Sequence, residues 1–231
     1  MKVIFMDNPR AIRPVFTPLD APPFYKKFMV EFNWFPGLSH SQTSRCINSL
    51  HAAADSLSLA PTLEVSTRSN DNLGRALSAF NLSLSMGGIE APIECFFQGS
   101  KVFEHGGPYS DLYHATAHDA KTDPRIKQSG SITGFEMVGR RYPIYPRTSF
   151  YDHLYIRVLF ENPNLLDAAS KYASFTDIAF NPKKSLNCQA QSLAICVALA
   201  NIGLIEQYAM DPDSWFLAQT NHDDTQQSLG I

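Results

Sequence analysis

The sequence predicts an α+β fold that is dominated by helices and contained in a single domain. Segments in which apolar residues recur at helical spacing outnumber those with the two-residue alternation of a strand. The chain has 231 residues, which is long enough to bury a sizeable core without a disulfide or a metal. Its 15 prolines are spread over the whole sequence, so no linker marks a domain boundary.

The N-terminal part of the chain is predicted to form a β-hairpin followed by a helix. The first strand covers residues 13–17, and apolar residues alternate with polar ones along a second strand at residues 28–34. Ser39 and Gln42 have the spacing of a capping box, which opens a helix ending near Asp55.

The central part is predicted to mix strands and helices. The expected elements are a strand at residues 62–66, a looser strand at 77–84, helices at 92–104 and 111–121, and a strand at 132–137. The first of these helices starts at Pro92, a favourable first residue, and stops before Gly106 and Gly107.

The C-terminal part is predicted to be helical. The expected helices cover residues 149–162, 163–172 and 187–203, with a short last helix from residue 211. From Gln219 the chain is polar, and we expect it to fray. The predicted organisation is an N-terminal extension at 1–60, a core domain at 61–218 and a flexible tail at 219–231.

The composition excludes several classes of protein. Charged residues make up 18% of the chain, aromatic residues 12%, and the net charge is −3. These values exclude a disordered chain, a coiled coil and a strongly basic nucleic-acid coat. No secretory signal, no apolar run of membrane-spanning length and no C-x-x-C pair is found, so we expect a reduced, cytoplasmic protein. His114 and His118 lack a third ligand, and we expect neither a metal nor another cofactor.

The predicted helix at 92–104 carries its polar residues on one stripe. At 100° per residue, Glu94, Gln98 and Lys101 fall within a stripe roughly 60° wide, which also includes His105. The other sides are apolar, so the stripe faces either solvent or an internal polar cleft. In a cleft, a carboxylate, an amide and an ammonium group would suit a reaction that develops positive charge and then receives water.

Three later polar residues each have two interpretations. Asp152 either completes a capping box at the start of its helix or belongs to a site. Asp177 either caps a turn or takes part in catalysis. Asn187 either caps its helix or binds phosphate, and it can do both.

Several blocks of the sequence resemble the NADAR superfamily, also called YbiA-like. Ser78-Ala79-Phe80-Asn81, followed by Ile93-Glu94 and the run to Lys101, is similar to its S-N-F … V-E-x-x-F-Q-x-x-K signature. Asp177, followed ten residues later by Asn187, resembles its D … G-x-N pattern. Longer blocks are similar to the subgroup of NADAR antitoxins paired with DarT-type guanine ADP-ribosyltransferase toxins. These blocks are EFNWFPG at 31–37, LSAFNL at 77–82, FQGSKVFE at 97–104, GGPYSDLY at 106–113, FYD at 150–152, FTDI at 175–178 and FNPKKSLNCQA at 180–190.

The resemblance spans about residues 13–205, with one departure. General members carry a tryptophan after the central helix and a W-G pair after the late aspartate. The tryptophans of this chain, Trp34 and Trp215, lie elsewhere, so the role of the family's tryptophans is not carried over. Tyr151 or Tyr155 is the candidate to replace the missing aromatic wall.

The resemblance implies an enzyme that cleaves an N-glycosidic bond and removes ADP-ribose from guanine in DNA. It implies that Glu94 stabilises the cationic sugar or activates water, and that Lys101 acts as an acid or as a nucleophile at ribose C1. Asp177 would bind ribose hydroxyls or share the role of the base. The expected ligand-binding residues are Ser66, Arg68, Ser78, Phe80, Asn81, Gln98, Tyr151, Asp152 and Asn187.

The implied partners are ADP-ribosylated DNA or free ADP-ribose as ligand, and the cognate DarT-type toxin as functional partner, with no membrane. Two alternatives remain at this point. One is a YbiA-like N-glycosidase that acts on a riboflavin-pathway ribosylamine. The other is a module that binds ADP-ribose or the toxin without turnover. A carboxylate beside Lys101 argues against pure binding, because recognition of a diphosphate gains nothing from it.

Overall fold

The computed structural model describes residues 9–37, 39–183 and 185–229. Its strands are β1 (Arg10–Pro18), β2 (Tyr25–Asn33), β3 (Thr62–Glu64), β4 (Ser83–Met86), β5 (Ile89–Pro92), β6 (Lys101–Phe103), β7 (Ile132–Met137), β8 (Arg140–Tyr142) and β9 (Ser174–Thr176). Its helices are α1 (His40–Asp55), α2 (Asn72–Ala76), α3 (Ile93–Gly99), α4 (Ala117–Thr122), α5 (Arg125–Gln128), α6 (Ser149–Glu161), α7 (Pro163–Ala169), α8 (Gln189–Asn201), α9 (Ile205–Met210) and α10 (Pro212–Leu229). A 3₁₀ helix covers Ser110–His114. The helix-dominated α+β fold is therefore confirmed.

The N-terminal hairpin and its helix form as predicted. Strands β1 and β2 pair antiparallel along their whole length, from Arg10 opposite Asn33 to Pro18 opposite Tyr25. One face of the hairpin packs on α1, because the alternating apolar residues of β2 meet the apolar face of that helix. The amide of Gln42 donates to Ser39 Oγ at 3.3 Å, so Ser39 is the N-cap of α1.

A four-stranded sheet in the order β2-β1-β9-β3 supports the site described below. Strand β9 pairs antiparallel with β1 and parallel with β3. In the parallel pair Glu64 lies opposite Thr176, so both strands end at the same edge of the sheet. This edge carries Ser66 and Asp177 just beyond the two strand ends.

The main core surrounds two helices, α6 and α8. All residues from Ala190 to Leu199 on α8 are buried, which explains why this segment is apolar on every side. The two smaller sheets, β4-β5 and β6-β7-β8, complete the fold. No helix within residues 9–37, 39–183 and 185–229 is long and apolar enough to cross a lipid bilayer.

The predicted helix at 92–104 is wrong beyond residue 99. Helix α3 ends at Gly99, and the next residues form β6, which pairs with β7 from Lys101 opposite Phe135 onward. Pairing with a neighbouring strand satisfies the backbone of residues 101–103 and outweighs their helical spacing. His105 consequently leaves the stripe and is exposed.

Two other central predictions are also wrong. The looser strand at 77–84 is replaced by a turn, in which the amides of Asn81 and Leu82 donate to the carbonyl of Ser78, and by the start of β4 at Ser83. The single helix at 111–121 is divided into the 3₁₀ helix and α4. Thr116 causes the division, since its Oγ1 accepts from the amide of Asp119 at 3.1 Å and starts a new helix.

The C-terminal half differs from the prediction in three places. Ser149 is not an N-cap, because α6 has Thr148 in that position, and Asp152 instead accepts from Ser192 Oγ on α8 at 2.6 Å. Helix α8 has Cys188 as its N-cap, so Asn187 precedes the cap. The last helix continues to residue 229 rather than ending near residue 219. The elements that were not predicted are α2, β5, α5, β8, β9 and α9.

Candidate functional site

A cavity of about 930 Å³ brings most of the predicted site residues together. This volume lies at the upper end of the roughly 300–1,000 Å³ that is usual for small-molecule sites. Of the twelve predicted site residues, those that line the cavity are Ser66, Ser78, Phe80, Glu94, Gln98, Lys101, Tyr151, Asp177 and Asn187. The cavity is therefore the candidate site.

A buried chain of three polar side chains forms one wall of the cavity. Gln98 Nε2 donates to Glu94 Oε1 at 2.8 Å, one helical turn away on α3. Lys101 Nζ, at the start of β6, donates to Gln98 Oε1 at 2.6 Å. All three side chains are buried, which excludes the alternative of a solvated helix face. A carboxylate, an amide and an amine thus line the same cavity, in the order expected from the sequence.

The amine of Lys101 is held in an apolar environment. Its Nζ lies 4.4 Å from the ring centroid of Phe97. Burial lowers the pKa of Lys101 to about 8, with the positive charge of Lys121 adding to the decrease and the negative charge of Glu94 opposing it. A lysine with this pKa exists in both protonation states near neutral pH, so it can donate a proton or attack an electrophile.

Lys121 belongs to the site, although sequence reasoning missed it. Its Nζ lies 3.7 Å from Glu94 Oε1 and 4.9 Å from the ring centroid of Phe80. The side chain is 55% exposed, which places the ammonium group at the opening of the cavity. A single lysine at the end of a short polar helix carries no sequence signal for a site, because most such lysines are solvated.

Asp177 directly follows β9, where it caps a turn and also lines the cavity. Its Oδ1 accepts from the amides of Ala179 at 3.0 Å and Phe180 at 3.1 Å, so it caps a turn. Its Oδ2 accepts from Gln189 Nε2 at 3.0 Å, and the side chain also lines the cavity. Burial raises the pKa of Asp177, and these donors act against the increase.

Gln189 is a second residue that the sequence did not single out. It connects Asp177 to the turn after α2, because its Oε1 accepts from the amide of Ala79 at 2.7 Å. That turn carries Ser78 and Phe80, which line the opposite side of the cavity. One amide side chain thereby fixes two walls relative to each other.

Asn187 has a free acceptor in the cavity wall. Its Oδ1 is buried and has no hydrogen-bond partner among the described residues. A buried acceptor without a donor costs about 1–3 kcal/mol, which a hydroxyl or N–H of a ligand would recover. This observation favours a ligand-binding role over the helix-capping one.

Aromatic rings form the remaining wall. Tyr151 lines the cavity and contacts the ring of Phe97 edge-on, with 5.0 Å between centroids. Tyr155, the other candidate for the missing tryptophan, donates its hydroxyl to the carbonyl of Leu77 at 3.2 Å behind the wall. Of the two tyrosines, Tyr151 is the one that lines the cavity.

Three expected ligand-binding residues do not reach the cavity. Arg68 Nη1 donates to Thr43 Oγ1 at 3.2 Å, towards α1. Asn81 Nδ2 donates to the carbonyl of Arg75 at 2.8 Å, within the turn after α2. Asp152 is buried between α6 and α8. Arg68 and Asn81 are exposed and Asp152 is buried, but none of the three side chains lines this cavity.

The opening of the cavity is apolar and basic. Ile132, Tyr145 and Leu186 are exposed there beside Arg147, whose guanidinium carbon lies 5.7 Å from the ring centroid of Tyr145. Exposed apolar side chains grouped at a cavity are typical of a binding surface. Within the described part of the chain, no cluster of three or more histidine, cysteine, aspartate or glutamate side chains could hold a metal ion.

Comparison with known proteins agrees with this geometry. Residues 11–229 match the model of a family described as "DarT1-associated NADAR antitoxin". No curated protein matches the chain significantly. The matched range includes every residue of the candidate site.

Proposed function

The chain belongs to the family of DarT1-associated NADAR antitoxins, and from this premise we propose that it is an N-glycosidase that removes ADP-ribose from guanine in DNA. It would thereby reverse the modification made by a DarT-type toxin. The observation that carries the proposal is the buried chain of Glu94, Gln98 and Lys101 in a cavity large enough for a nucleotide-sized group.

The proposed reaction needs a carboxylate and a proton donor on the same substrate. As the bond between ribose C1 and the guanine nitrogen breaks, its electron pair leaves with the base and the sugar becomes an oxocarbenium-like cation. Lys101 donates a proton to the departing nitrogen. Glu94 stabilises the cation and accepts a proton from the water that attacks C1. The products are ADP-ribose and unmodified guanine.

The other walls supply recognition. We propose that Asp177 and Asn187 hydrogen-bond ribose hydroxyls, because one is a carboxylate and the other has an unused acceptor. Ser78 offers a hydroxyl donor to the diphosphate, because its Oγ only accepts, from the amide of Phe80, whereas the hydroxyl proton of Ser66 is donated to Glu64. Phe80 and Tyr151 offer ring faces and edges to a base.

The cavity opening suits a nucleic-acid strand. Tyr145 is 57% exposed and lies beside Arg147, so an unpaired base can stack on the ring while the guanidinium contacts a phosphate. Lys121 adds a second cation at the same opening. These groups support DNA rather than a free small metabolite as the substrate.

The test is release of ADP-ribose from a guanine-ADP-ribosylated oligonucleotide. We expect turnover by the unmodified protein, and loss of at least about 100-fold in kcat for Glu94→Gln and for Lys101→Ala. Glu31→Gln and Lys27→Ala, both exposed on β2, are the matched controls and should retain full activity. Binding without release would show a binding module, and full turnover by either site variant would overturn the role given to that residue.

A further inference from the structure

The carboxyl group of Glu64 lies behind the wall of the cavity and is only 2% exposed. It accepts three hydrogen bonds, from Ser66 Oγ at 2.7 Å, Thr176 Oγ1 at 2.7 Å and the amide of Ile178 at 2.8 Å. Two of these donors belong to the residues directly before and after Asp177, and the third lines the cavity. We propose that Glu64 is a positioning residue, which fixes Asp177 and Ser66 in the cavity wall. This inference rests on the proposed function.

The pairing of the two strands explains how one side chain reaches all three donors. Glu64 is the last residue of β3, and Thr176 is its partner at the end of the parallel strand β9. Beyond this pair both chains leave the sheet, so their backbones lose the support of strand pairing. The carboxyl group of Glu64 replaces that support where Asp177 begins its turn.

Glu64 acts through its neighbours, because it does not line the large cavity itself. Behind it, Thr176 Oγ1 lies 3.0 Å from His51 Nε2, which faces a separate cavity of about 160 Å³. Burial lowers the pKa of His51 to about 4, so this imidazole is neutral near pH 7. The charged group that faces Glu64 is therefore Asp177.

The two carboxyl groups differ in their affinity for a proton. Burial, and after it the negative charge of Asp177, raises the pKa of Glu64 to about 8. The pKa of Asp177 is also raised by burial, but its three donors and the positive charge of Lys121 act against that increase. Both carboxyl groups accept three hydrogen bonds, so the neighbouring charges set the difference: the negative charge of Asp177 favours the neutral form of Glu64, and the positive charge of Lys121 favours the charged form of Asp177.

The hydrogen-bond network accommodates a protonated Glu64. When Glu64 donates to Thr176 Oγ1, the threonine hydroxyl donates in turn to the neutral His51 Nε2. A glutamine at position 64 makes the same set of bonds, since its amide nitrogen donates to Thr176 and its oxygen accepts from Ser66 and Ile178. Glutamine is therefore the conservative replacement, and alanine removes all three bonds.

The first measurement is steady-state release of ADP-ribose from a guanine-ADP-ribosylated oligonucleotide. We expect Glu64→Ala to lower kcat by at least about tenfold with KM changed less than about twofold, because a misplaced group costs the chemical step rather than binding. Glu64→Gln should keep kcat within about threefold of the unmodified protein. The control is Val30→Ala, which truncates a buried side chain in the core between the hairpin and α1; Val30 lines neither cavity, so this variant should lower stability but not kcat.

The second measurement does not depend on turnover. Hydrogen exchange of the amides of residues 178–180 reports whether the turn that holds Asp177 is fixed. We expect this exchange to become at least about tenfold faster in Glu64→Ala and to stay unchanged in Glu64→Gln. If Glu64→Ala does not fold, Thr176→Val removes one of the three donors and should give a smaller change in the same direction.

The outcomes separate the two proposals. If the unmodified protein releases no ADP-ribose, the proposed function is wrong, and the exchange measurement alone decides the role of Glu64. Unchanged exchange in Glu64→Ala, or equal losses in the alanine and glutamine variants, would overturn the positioning role. Faster exchange with an unchanged kcat would also overturn it, because Asp177 would then not need to be held.

Discussion

Gly99, the last residue of α3, is the position where one methyl group should affect both stability and activity. A Cβ at this position would lie 2.6 Å from Tyr113 Cε1, 2.8 Å from Tyr113 Cδ1 and 3.0 Å from the carbonyl oxygen of Tyr109. The ring would have to move by about 0.8 Å to reach an ordinary contact of 3.4 Å. The Tyr113 ring is buried, and its centroid lies 4.9 Å from that of Phe96. Its hydroxyl group forms a hydrogen bond with Ser100 Oγ at 3.0 Å, so the ring cannot move away freely.

Two opposing effects determine how much the free energy of unfolding changes in Gly99→Ala. Alanine in a helix is favoured over glycine by about 1 kcal/mol. Overpacking of a filled core costs about 1–3 kcal/mol. The steric cost outweighs the gain, because the neighbouring ring is packed against Phe96 and hydrogen-bonded to Ser100, and we expect the free energy of unfolding to fall by up to about 2 kcal/mol. Lys101 follows two residues later, so we also expect kcat to fall about tenfold.

The test is urea unfolding of Gly99→Ala, made both in the unmodified protein and in a protein that already carries Tyr113→Leu. Leucine removes the ring atoms that the new methyl group meets, while the close contact with the carbonyl oxygen of Tyr109 remains, so in that background alanine should cost at least about 1 kcal/mol less. A Gly99→Ala protein that is as stable as the unmodified one, or an equal loss in both backgrounds, would show that the contact with Tyr113 does not control this position.

Three further predictions concern pH and the substrate. We expect kcat to fall as the pH rises through about 8, because Lys101 must be protonated to act as an acid; a rise over that range would instead show that neutral Lys101 attacks C1. In the folded protein the pKa of Glu64 is about 8, whereas in the unfolded chain it has its ordinary value of 4.5, so between these values the folded state binds the proton more tightly. The free energy of unfolding, relative to that of Glu64→Gln, should therefore decrease from pH 5 to pH 8 by at most about 1.4 kcal/mol per pH unit. Urea unfolding at several pH values measures this difference, and parallel curves would contradict it. Tyr145→Ala should lower kcat/KM about tenfold for an ADP-ribosylated oligonucleotide but not for an ADP-ribosylated guanine nucleoside, since only the oligonucleotide supplies a base to stack; equal losses on both would refute the stacking role.

The sequence predicted elements well where local signals and packing agree. The Ser39 cap, the alternation along β2 and the apolar run of α8 each specify the structure that forms. The prediction failed where the structure of a segment is determined by a partner that is distant in the sequence. Strand β6 exists because β7 pairs with it, and Asp152 leaves its expected capping role because Ser192 reaches it from another helix. The residues next to β6 do not indicate that β7 will pair with it, and those next to Asp152 do not indicate the contact with Ser192.

The residues of the candidate site were also predicted where local spacing is sufficient and missed where a distant partner determines their position. Lys101 was found although the helix that predicted it ends early, because the first residue of β6 stays close to the last turn of α3 and still reaches Gln98. Glu64 was missed because it stands between Leu63 and Val65, where alternation suggests a side chain on the exposed face of a strand. Helix α1 contacts β3, and the carboxyl group is buried among its three donors, beside Asp177.

The location of the site explains why charged residues can be buried in a chain with so few of them. Glu94 and Lys101 lie at the two ends of a short helix-to-strand segment, and Glu64 and Asp177 lie where two parallel strands end. At such ends backbone amides and short polar side chains are not used by regular structure, and they are available to stabilise a buried carboxylate. Five of the six donors to Asp177 and Glu64 are of this kind, three being backbone amides and two being hydroxyl groups, and the sixth is the side-chain amide of Gln189. Both carboxyl groups therefore have their hydrogen-bond partners before any ligand arrives, which is the preorganisation that the proposed N-glycosidase requires.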